Sequence, residues 1–134
     1  MSEELPVYQM LYVSRLMPGS GYSVVNDIVS VSRRTNAQRD ITGALVFDGE
    51  CFGQLIEGRK PDVIALMQRI ETDPRHTDIR LLFSGVTGPT RRTRVWRSGY
   101  CEAQQLEMLM ADAAHSGPAA LAAFMSILDT ADVE

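Results

Sequence analysis

The sequence predicts an α+β fold of the ferredoxin-like type. Segments with strand and helix periodicity follow one another in the order β-α-β-β-α-β, and one further strand comes after them. Asp48-Gly49 separates the second and third strands and is a strong hairpin signal, because glycine tolerates the positive φ of such a turn. With right-handed crossovers we expect a five-stranded mixed sheet. Its first and third strands are adjacent at the centre, and two helices cover one face.

The first strand is predicted over residues 7–14, which are apolar at nearly every position. Pro18-Gly-Ser-Gly21 ends this strand, and Ser23 is then a suitable N-cap for a helix that runs to about Arg34. Side chains alternate between two faces of the strand, and both faces are largely apolar. Both faces of the sheet therefore need a cover.

Turn residues and periodicity predict the remaining elements of the sheet domain. A second helix begins at Lys60-Pro61, because proline is favoured in the first helical turn. Its apolar residues recur at helical spacing from Val63 to Ile70. Further strands are expected over residues 41–47, 51–56, 80–86 and 92–101.

The tail is predicted to form two helices, over residues 104–114 and 118–128, which are separated at Ser116-Gly117. Apolar residues at helical spacing in the second helix are typical of core packing. We expect the two helices to cap the other face of the sheet, with a dimer or partner surface as the alternative. The chain thus divides into a sheet domain, residues 1–101, and a C-terminal helical cap and output extension, residues 102–134.

Length and charge limit the possible functions. A chain of 134 residues forms one domain with a sizeable core. Its net charge of −4 argues against a duplex nucleic-acid partner. One basic run departs from this balance, Arg91-Arg-Thr-Arg-Val-Trp-Arg97. This run is either a solvated hairpin end or a patch that binds phosphate or a partner.

Cysteine usage and the termini bear on location. Cys51 and Cys101 lie far apart with no CxxC motif, so we expect two buried, reduced thiols and a reducing compartment. Residues 1–6 are acidic and unlike a secretory signal. No apolar run approaches the roughly 18 residues of a membrane span. The expectation is a cytoplasmic protein with no membrane partner.

Several common chemistries lack their motifs. Neither His76 nor His115 has a cysteine or carboxylate at ligand spacing, so we expect no zinc or non-haem iron site. Gly19-Ser-Gly21 follows a strand, but Val24 stands where a dinucleotide fingerprint has its third glycine. Asp73 and His76 have no activated nucleophile beside them, which argues against a hydrolase.

Two polar residues lie in the predicted central strand pair, Tyr12 in the first strand and Gln54 in the third. A buried phenol and a buried amide both require hydrogen-bond partners, and the sequence offers few protein groups for them. A ligand with polar edges would supply the partners. If that ligand were an electron-poor aromatic, the phenol could also give it an electron and a proton. Taken alone, Tyr12 is more typical of a half-buried strand tyrosine.

From about residue 7 to residue 101 the chain resembles the BLUF family, blue-light sensors that use a flavin. Each motif is weak alone, but their order and spacing, together with the predicted strand order, are specific. The motifs are Leu11-Tyr-Val-Ser14, Arg34-Thr-Asn36 with Ile41-Thr-Gly-Ala-Leu45, Phe52-Gly-Gln-Leu-Ile-Glu-Gly58, Asp73-Pro-Arg-His76 and Val95-Trp96.

The resemblance implies a non-covalent flavin, FAD first, with FMN or riboflavin as other forms. Its isoalloxazine ring would lie between the two helices, with one edge towards the sheet. Tyr12 would donate an electron and a proton, and the Gln54 amide would bridge the phenol and the N5/O4 edge of the ring. The other residues expected at the cofactor are Ile28, Thr35, Asn36, Phe52, Arg69, Ile70, Arg75 and His76.

Simpler readings exist for several of these residues. Asn36 is also typical of a helix C-cap, and Arg69 of a solvated helix face. Arg75 and His76 are also typical of cations that favour the end of a helix dipole. Ile28 and Ile70 are typical of core packing, and they are buried in either reading.

Two positions depart from the family pattern. Many members have two adjacent amides before the end of the first helix, and here Thr35 replaces the first of them. The family usually has Trp-x-Met in the last strand, and here the run is Trp96-Arg-Ser98. Serine would then lie next to the glutamine in place of methionine, which would alter the relay of the signal through the last strand.

The resemblance implies a photoreceptor rather than an enzyme. Light would drive electron and proton transfer from tyrosine to flavin, rearrange the glutamine hydrogen bonds and give a red-shifted signalling state. With Trp96 and Ser98 as relay, the signal would pass to an unidentified downstream protein or through self-association as a dimer or larger oligomer, since no effector domain is expected. The alternatives are a non-photoactive ferredoxin-like protein-binding module and a small flavin enzyme.

Overall fold

A six-stranded mixed sheet forms the centre of the structure, a computed structural model in which residues 6–111 and 116–134 are described. The strand order is β4-β1-β3-β2-β5-β6. The elements are β1 (Tyr8–Leu16), α1 (Tyr22–Gln38), β2 (Thr42–Phe47), β3 (Cys51–Gly58), α2 (Lys60–Glu71), β4 (His76–Val86), β5 (Trp96–Tyr100), α3 (Glu107–Ala111), α4 (Pro118–Thr130) and β6 (Asp132–Val133).

The predicted ferredoxin-like α+β fold is confirmed, including its central antiparallel pair of β1 and β3. Tyr12 pairs with Gln54 in this register, and Gln9 pairs with Glu57. Since an odd number of positions separates the two pairs along each strand, their side chains project from opposite faces of the sheet. The β1–β3 pair therefore presents one buried polar pair to each face.

Two apolar clusters cover the two faces, as expected. On one face, Val25 and Val29 of α1 and Val63 and Met67 of α2 pack on the sheet. On the other face, α3 and α4 supply the cover, and the alternative of a separate partner surface is not needed for these helices. The buried residues of this cover are Leu106, which precedes α3, and in the two helices Leu109, Met110, Ala120, Leu121, Phe124, Ile127 and Leu128.

The strand count and the start of the last long strand differ from prediction. The sheet has six strands rather than five, because residues 132–133 pair with β5 as β6. Gly99 permits this pairing, since a Cβ there would lie 2.0 Å from the Asp132 carbonyl oxygen. The strand β5 begins at Trp96 rather than residue 92, because the backbone N–H groups of Arg92 and Thr93 donate to the Glu57 carboxylate.

The helix α1 is longer than predicted at both ends. It begins at Tyr22, and its N-cap is Gly21, whose backbone is extended, rather than Ser23. It continues beyond Arg34 to Gln38, so Asn36 lies in the last turn and is not the C-cap. No glycine or proline interrupts this stretch, and nothing in its sequence stops the helix at residue 34.

The tail forms its two helices with shifted ends. The first begins at Glu107 rather than residue 104, and the end of the predicted segment, residues 112–114, lies outside the described residues. The second runs two residues further than predicted, to Thr130. Before it, the Gly117 N–H donates to the Leu82 carbonyl oxygen of the edge strand β4 at 2.7 Å. No helix within the described residues is long and apolar enough to cross a membrane.

Both cysteines are free, and their environments differ from one another. Cys51 is buried as predicted, whereas Cys101 is half-buried because it follows β5 at the margin of the core. Burial raises the pKa of both thiols to about 12. Both therefore keep their protons at neutral pH and react slowly as nucleophiles.

Candidate functional site

A cavity of about 290 Å³ lies between α1 and α2, over the face of β1 and β3 that these helices cover. Its volume is close to the lower limit of small-molecule sites, which measure about 300–1,000 Å³. The lining residues are Tyr12, Ile28, Val31, Ser32, Thr35, Asn36, Arg39, Leu45, Phe52, Gln54, Leu66, Arg69, Ile70, Asp73, Arg75 and His76.

Tyr12 and Gln54 meet across the central strand pair at the floor of the cavity. The Tyr12 hydroxyl donates a hydrogen bond to Gln54 Oε1. Burial, reinforced by the negative charge of Asp73, raises the pKa of Tyr12 above that of a free tyrosine. The phenol is therefore neutral at physiological pH, and its proton is already directed at the amide.

Two amides at the cavity lack protein partners. Asn36 is 2% exposed and Gln54 is 4% exposed. Within residues 6–111 and 116–134, Gln54 Nε2 and the side-chain amide of Asn36 have no hydrogen-bond partner in the protein. Buried amides are normally paired, so both groups suit a ligand with donors and acceptors on its edge.

The His76 ring is fixed by two hydrogen bonds at the side of the cavity. Nε2 lies 2.6 Å from the Ile70 carbonyl oxygen, and Nδ1 lies 2.8 Å from the Ser14 hydroxyl. A carbonyl can only accept, so Nε2 carries a proton, and in the neutral ring Nδ1 accepts from Ser14. The ring packs edge-on against Tyr12, with 6.2 Å between centroids, and against Phe52, with 6.4 Å.

The cations at the cavity have different surroundings. Arg75 forms a two-point ion pair with Asp73, in which Nη2 lies 2.6 Å and Nε 2.9 Å from the two carboxylate oxygens. These hydrogen bonds lower the pKa of the Asp73 carboxyl. Arg39 and Arg69 also line the cavity, and among the described residues neither guanidinium has an acidic partner. The cavity thus combines one neutralised cation with two that can receive an anionic group.

The structure brings together all ten residues expected at the cofactor, since each of them lines the cavity. The expected relay residues, Trp96 and Ser98, are buried on the same side of the sheet but do not line it. Ser98 was expected next to Gln54, but the structure separates the two residues. Leu45 lies between them and pairs with both Gln54 and Ser98. The Ser98 hydroxyl donates to the Val29 carbonyl oxygen of α1 at 3.3 Å.

Six lining residues were not predicted as site residues. Helical spacing could have found three of them, because Val31 and Ser32 lie three and four positions after Ile28, and Leu66 lies four positions before Ile70. Asp73 lies beyond the end of α2, and its signal is its place in the Asp73-Pro-Arg-His76 motif. Arg39 and Leu45 gave no such signal. Leu45 enters the site through its pairing with Gln54, which is a tertiary contact.

The residues present fit a flavin. The ring is a planar aromatic with a polar edge, and the cavity offers apolar side chains from both helices together with two unpaired amides at its floor. Ile28 from α1 and Ile70 from α2 can contact opposite faces of a ring between the helices. Asn36 and Gln54 can bond its edge, and Arg39 and Arg69 can bind a phosphate.

Comparisons with known proteins agree with this fit. A model of the BLUF family, described as sensors of blue-light using FAD, matches residues 7–99. The chain is 36% identical over 70 residues to the blue light- and temperature-regulated antirepressor BluF of Escherichia coli (strain K12). It is 37% identical over 70 residues to the photoactivated adenylate cyclase subunit beta of Euglena gracilis. Each match covers 52% of this chain but only 17% and 8% of these relatives.

Solved structures show the same fold over most of the chain. The dark-state structure of the BLUF protein BlrB has a TM-score of 0.71 at 23% identity, over 94% of this chain and 97% of that chain. The ground state of BlsA has a TM-score of 0.72 at 19% identity, over 96% and 91%. The family match extends over β1 to β5 and both helices of the cavity. The chain therefore belongs to the BLUF family, sensors of blue light that use FAD.

Proposed function

We propose that the protein is a cytoplasmic blue-light photoreceptor that holds FAD in the α1–α2 cavity and senses its excitation through Tyr12 and Gln54. One observation supports this most directly. The Tyr12 hydroxyl already bonds Gln54 Oε1, while Gln54 Nε2 is left for the ligand. FMN or riboflavin can enter the same site, since the contacts at the cavity floor involve the ring alone.

The photochemical step belongs to Tyr12. A bound flavin excited by blue light supplies a strong one-electron oxidant within the cavity. Tyr12 gives up an electron and then its phenolic proton, which leaves along the hydrogen bond to Gln54. Both return to Tyr12 at the end of the step, so the cycle has no net oxidation and turns over no substrate.

Gln54 retains the result of the photochemical step as a changed pattern of hydrogen bonds. An amide has a donor and an acceptor at different ends, so rotation or tautomerisation of Gln54 exchanges the hydrogen bonds that it makes. After the exchange, Gln54 would be able to donate to a carbonyl of a bound flavin and would no longer accept from Tyr12 in the same way. Such an additional hydrogen bond would favour the excited state over the ground state and shift absorption to longer wavelength. Asn36, His76 and the packed helices keep the ring in place meanwhile.

The output passes through the sheet to the tail. Ser98 links β5 to α1 through Val29, and Trp96 packs in the same apolar cluster as Tyr12 and Leu45. Residues 1–101 act as the sensor, and residues 102–134 act as the cap that responds. The signal then reaches a separate protein or a second copy of the chain. The relatives named above carry antirepressor or adenylate cyclase functions in much longer chains.

Purification and illumination test the proposal. The protein should purify yellow, and heat should release a flavin that chromatography identifies. Blue light should shift the absorption bands to longer wavelength, and the shift should reverse in the dark. A colourless protein that cannot be reconstituted with FAD would contradict the binding site.

Tyr12→Phe tests the photochemical role separately from binding. Phenylalanine preserves the packing but has no hydroxyl and is harder to oxidise. The variant should therefore bind flavin and lose the normal red-shifted product. If Tyr12→Phe shows the same photocycle as the wild-type protein, Tyr12 is not the electron donor.

A further inference from the structure

A buried carboxylate near the end of β3 holds the connection between β4 and β5. Glu57 has no solvent exposure and projects from the face of β3 opposite the cavity. Its oxygens accept from the backbone N–H of Arg92 at 2.6 Å and of Thr93 at 3.1 Å. They also accept from the hydroxyls of Thr93 and Thr42 at 3.1 and 3.2 Å and from the Gln9 amide. Five donors from three parts of the chain therefore converge on one side chain.

This convergence fixes the shape of the connection between β4 and β5. Removing a carboxylate from water is unfavourable unless hydrogen bonds replace its hydration, and the connection supplies three of those bonds. The Thr93 hydroxyl additionally accepts from the Gly43 N–H at 2.6 Å, which ties the connection to β2. If residues 92 and 93 moved away, the buried Glu57 carboxylate would lose three of its hydrogen bonds.

The connection and the start of β5 carry three exposed arginines. Arg92, Arg94 and Arg97 are exposed, and Val95 between them is 63% exposed. We call these four residues the 92–97 patch. Within the described ranges, none of its guanidiniums has a hydrogen-bond or ion-pair partner. Arg91 differs, because it donates to the Asp40 carbonyl oxygen at 2.7 Å and pairs with the Asp40 carboxylate at 3.2 Å.

We propose that the 92–97 patch is a docking surface for an acidic protein segment, and that Glu57 holds it in its binding shape. Three unpaired, exposed cations lie within three positions of an exposed valine, in a chain of net charge −4, and they suit a partner that carries carboxylates and an apolar residue. Arginine is also the cation most enriched in protein interfaces. A nucleic-acid partner fits less well, because a duplex carries a higher charge density than a peptide with carboxylates around apolar residues, so the net negative charge of the chain repels it more strongly. The inference does not depend on photochemistry, so it is tested in the dark.

The first experiment measures binding of a fluorescein-labelled synthetic peptide of alternating glutamate and leucine, by anisotropy at about 50 mM salt. The triple variant R92E/R94E/R97E should bind at least about tenfold more weakly than the wild-type protein. The control is R34E/R59E/R80E, which changes three exposed arginines elsewhere and alters the net charge equally. It should lose less than about threefold, because only long-range attraction is changed.

Three results would contradict the proposal that the 92–97 patch is a docking surface. These are no binding by the wild-type protein, an equal loss in both triple variants, and tighter binding of a labelled DNA duplex than of the peptide at the same salt. The absorption spectrum of each variant reports whether the flavin site is intact. Failure of the docking surface is thereby distinguished from failure of the proposed light sensor.

The second experiment tests the role of Glu57. Glu57→Gln keeps the volume and removes the charge, so the Arg92 and Thr93 amides should exchange hydrogen faster and the peptide should bind more weakly. Thr93→Val removes one hydroxyl donor to Glu57 with little change of shape. This variant replaces Glu57→Gln in the experiment if Glu57→Gln does not fold. Unchanged peptide affinity in a folded variant whose 92 and 93 amides exchange faster would show that Glu57 does not shape the surface.

Discussion

Two buried polar pairs cross the same two strands and differ in how their hydrogen bonds are completed. Gln9 and Glu57 face the side of α3 and α4, and Tyr12 and Gln54 face the cavity. The Glu57 oxygens receive five protein donors, whereas the Gln54 amide nitrogen has no partner among the described residues. The Glu57 carboxylate is thus satisfied within the protein, although Gln9 Oε1 beside it is buried without a partner among the described residues. Gln54, by contrast, has its amide nitrogen at the cavity, free of any partner within residues 6–111 and 116–134.

The difference separates a structural polar pair from a ligand-binding one. Burial alone does not distinguish them, because all four side chains are at most 4% exposed. What distinguishes them is whether the protein supplies partners for the Glu57 carboxylate and for the Gln54 amide nitrogen. A carboxylate that protein donors satisfy adds stability and shape, while an amide with a free end beside a cavity can change its bonds when the ligand changes.

The largest expected effect comes from changing the Tyr12–Gln54 pair. Gln54→Leu should keep the flavin and abolish the light-induced red shift, because leucine fills the volume but cannot exchange a hydrogen bond. Gln9→Leu is the matched control on the opposite face of the same strand pair. It should lower stability and leave the shift intact. Difference spectra before and after blue light measure both, and a normal shift in Gln54→Leu would contradict the switch mechanism.

Glu57→Ala should reduce stability most among single changes in the Gln9–Glu57 pair. It leaves two backbone N–H groups, two hydroxyls and the Gln9 amide without their acceptor, and we expect a loss of about 3–5 kcal/mol in the free energy of unfolding. Urea denaturation followed by circular dichroism measures the loss. A change below about 1 kcal/mol would show that water satisfies these donors equally well.

Gly53 tests how tightly the capped face is packed. A Cβ at this position would lie 2.9 Å from Leu106 Cδ2 and 3.0 Å from Phe124 Cε1. Gly53→Ala should therefore destabilise the protein by about 1–3 kcal/mol. Leu106→Ala removes one of the two obstructing side chains, so the same glycine change should cost less in that background. If the two changes have additive effects in denaturation experiments, Leu106 does not limit the space available at Gly53.

The smallest effect is a pH dependence at the cavity. Arg75 lowers the pKa of Asp73 in the folded protein, so the ionised carboxylate contributes stability above the unfolded pKa of about 3.9. This contribution is lost as pH falls through the folded pKa. The stability advantage of the wild-type protein over Asp73→Asn should thus be present at neutral pH and shrink at about pH 3. Denaturation of both proteins across this range tests the sign, and a constant difference would contradict it.

The sequence predicted most of the fold because its signals are local. Apolar runs predict the strands, Asp48-Gly49 predicts the hairpin, and Lys60-Pro61 predicts the start of the second helix. None of these signals depends on distant residues. The strand β6 was missed because two residues carry no periodicity, and its pairing depends on a close approach at Gly99. The early start predicted for β5 failed for a similar reason, since Glu57 holds residues 92 and 93 out of the sheet.

The ten residues expected at the cofactor line one cavity, and most of them come in family motifs. The exceptions show what motifs omit. Asp73 stood within a motif but was not assigned to the site, although its pairing with Arg75 controls the charge there. Ser98 was placed beside Gln54, but the sheet order inserts Leu45 between them, which only the pairing of β2 with β5 reveals. The roles of these residues in signalling remain predictions.

The bond from the Gly117 N–H to the Leu82 carbonyl oxygen has a consequence for aggregation. The strand β4 is at the edge of the sheet, and an edge strand with free backbone groups can pair with other molecules. The start of α4 occupies one of these groups and lies against the strand. Shortened variants that lack the tail would expose this edge together with Leu81 and Val86, which are already 48% and 59% exposed. Oligomers of such variants would report edge-to-edge association rather than the assembly of the intact chain.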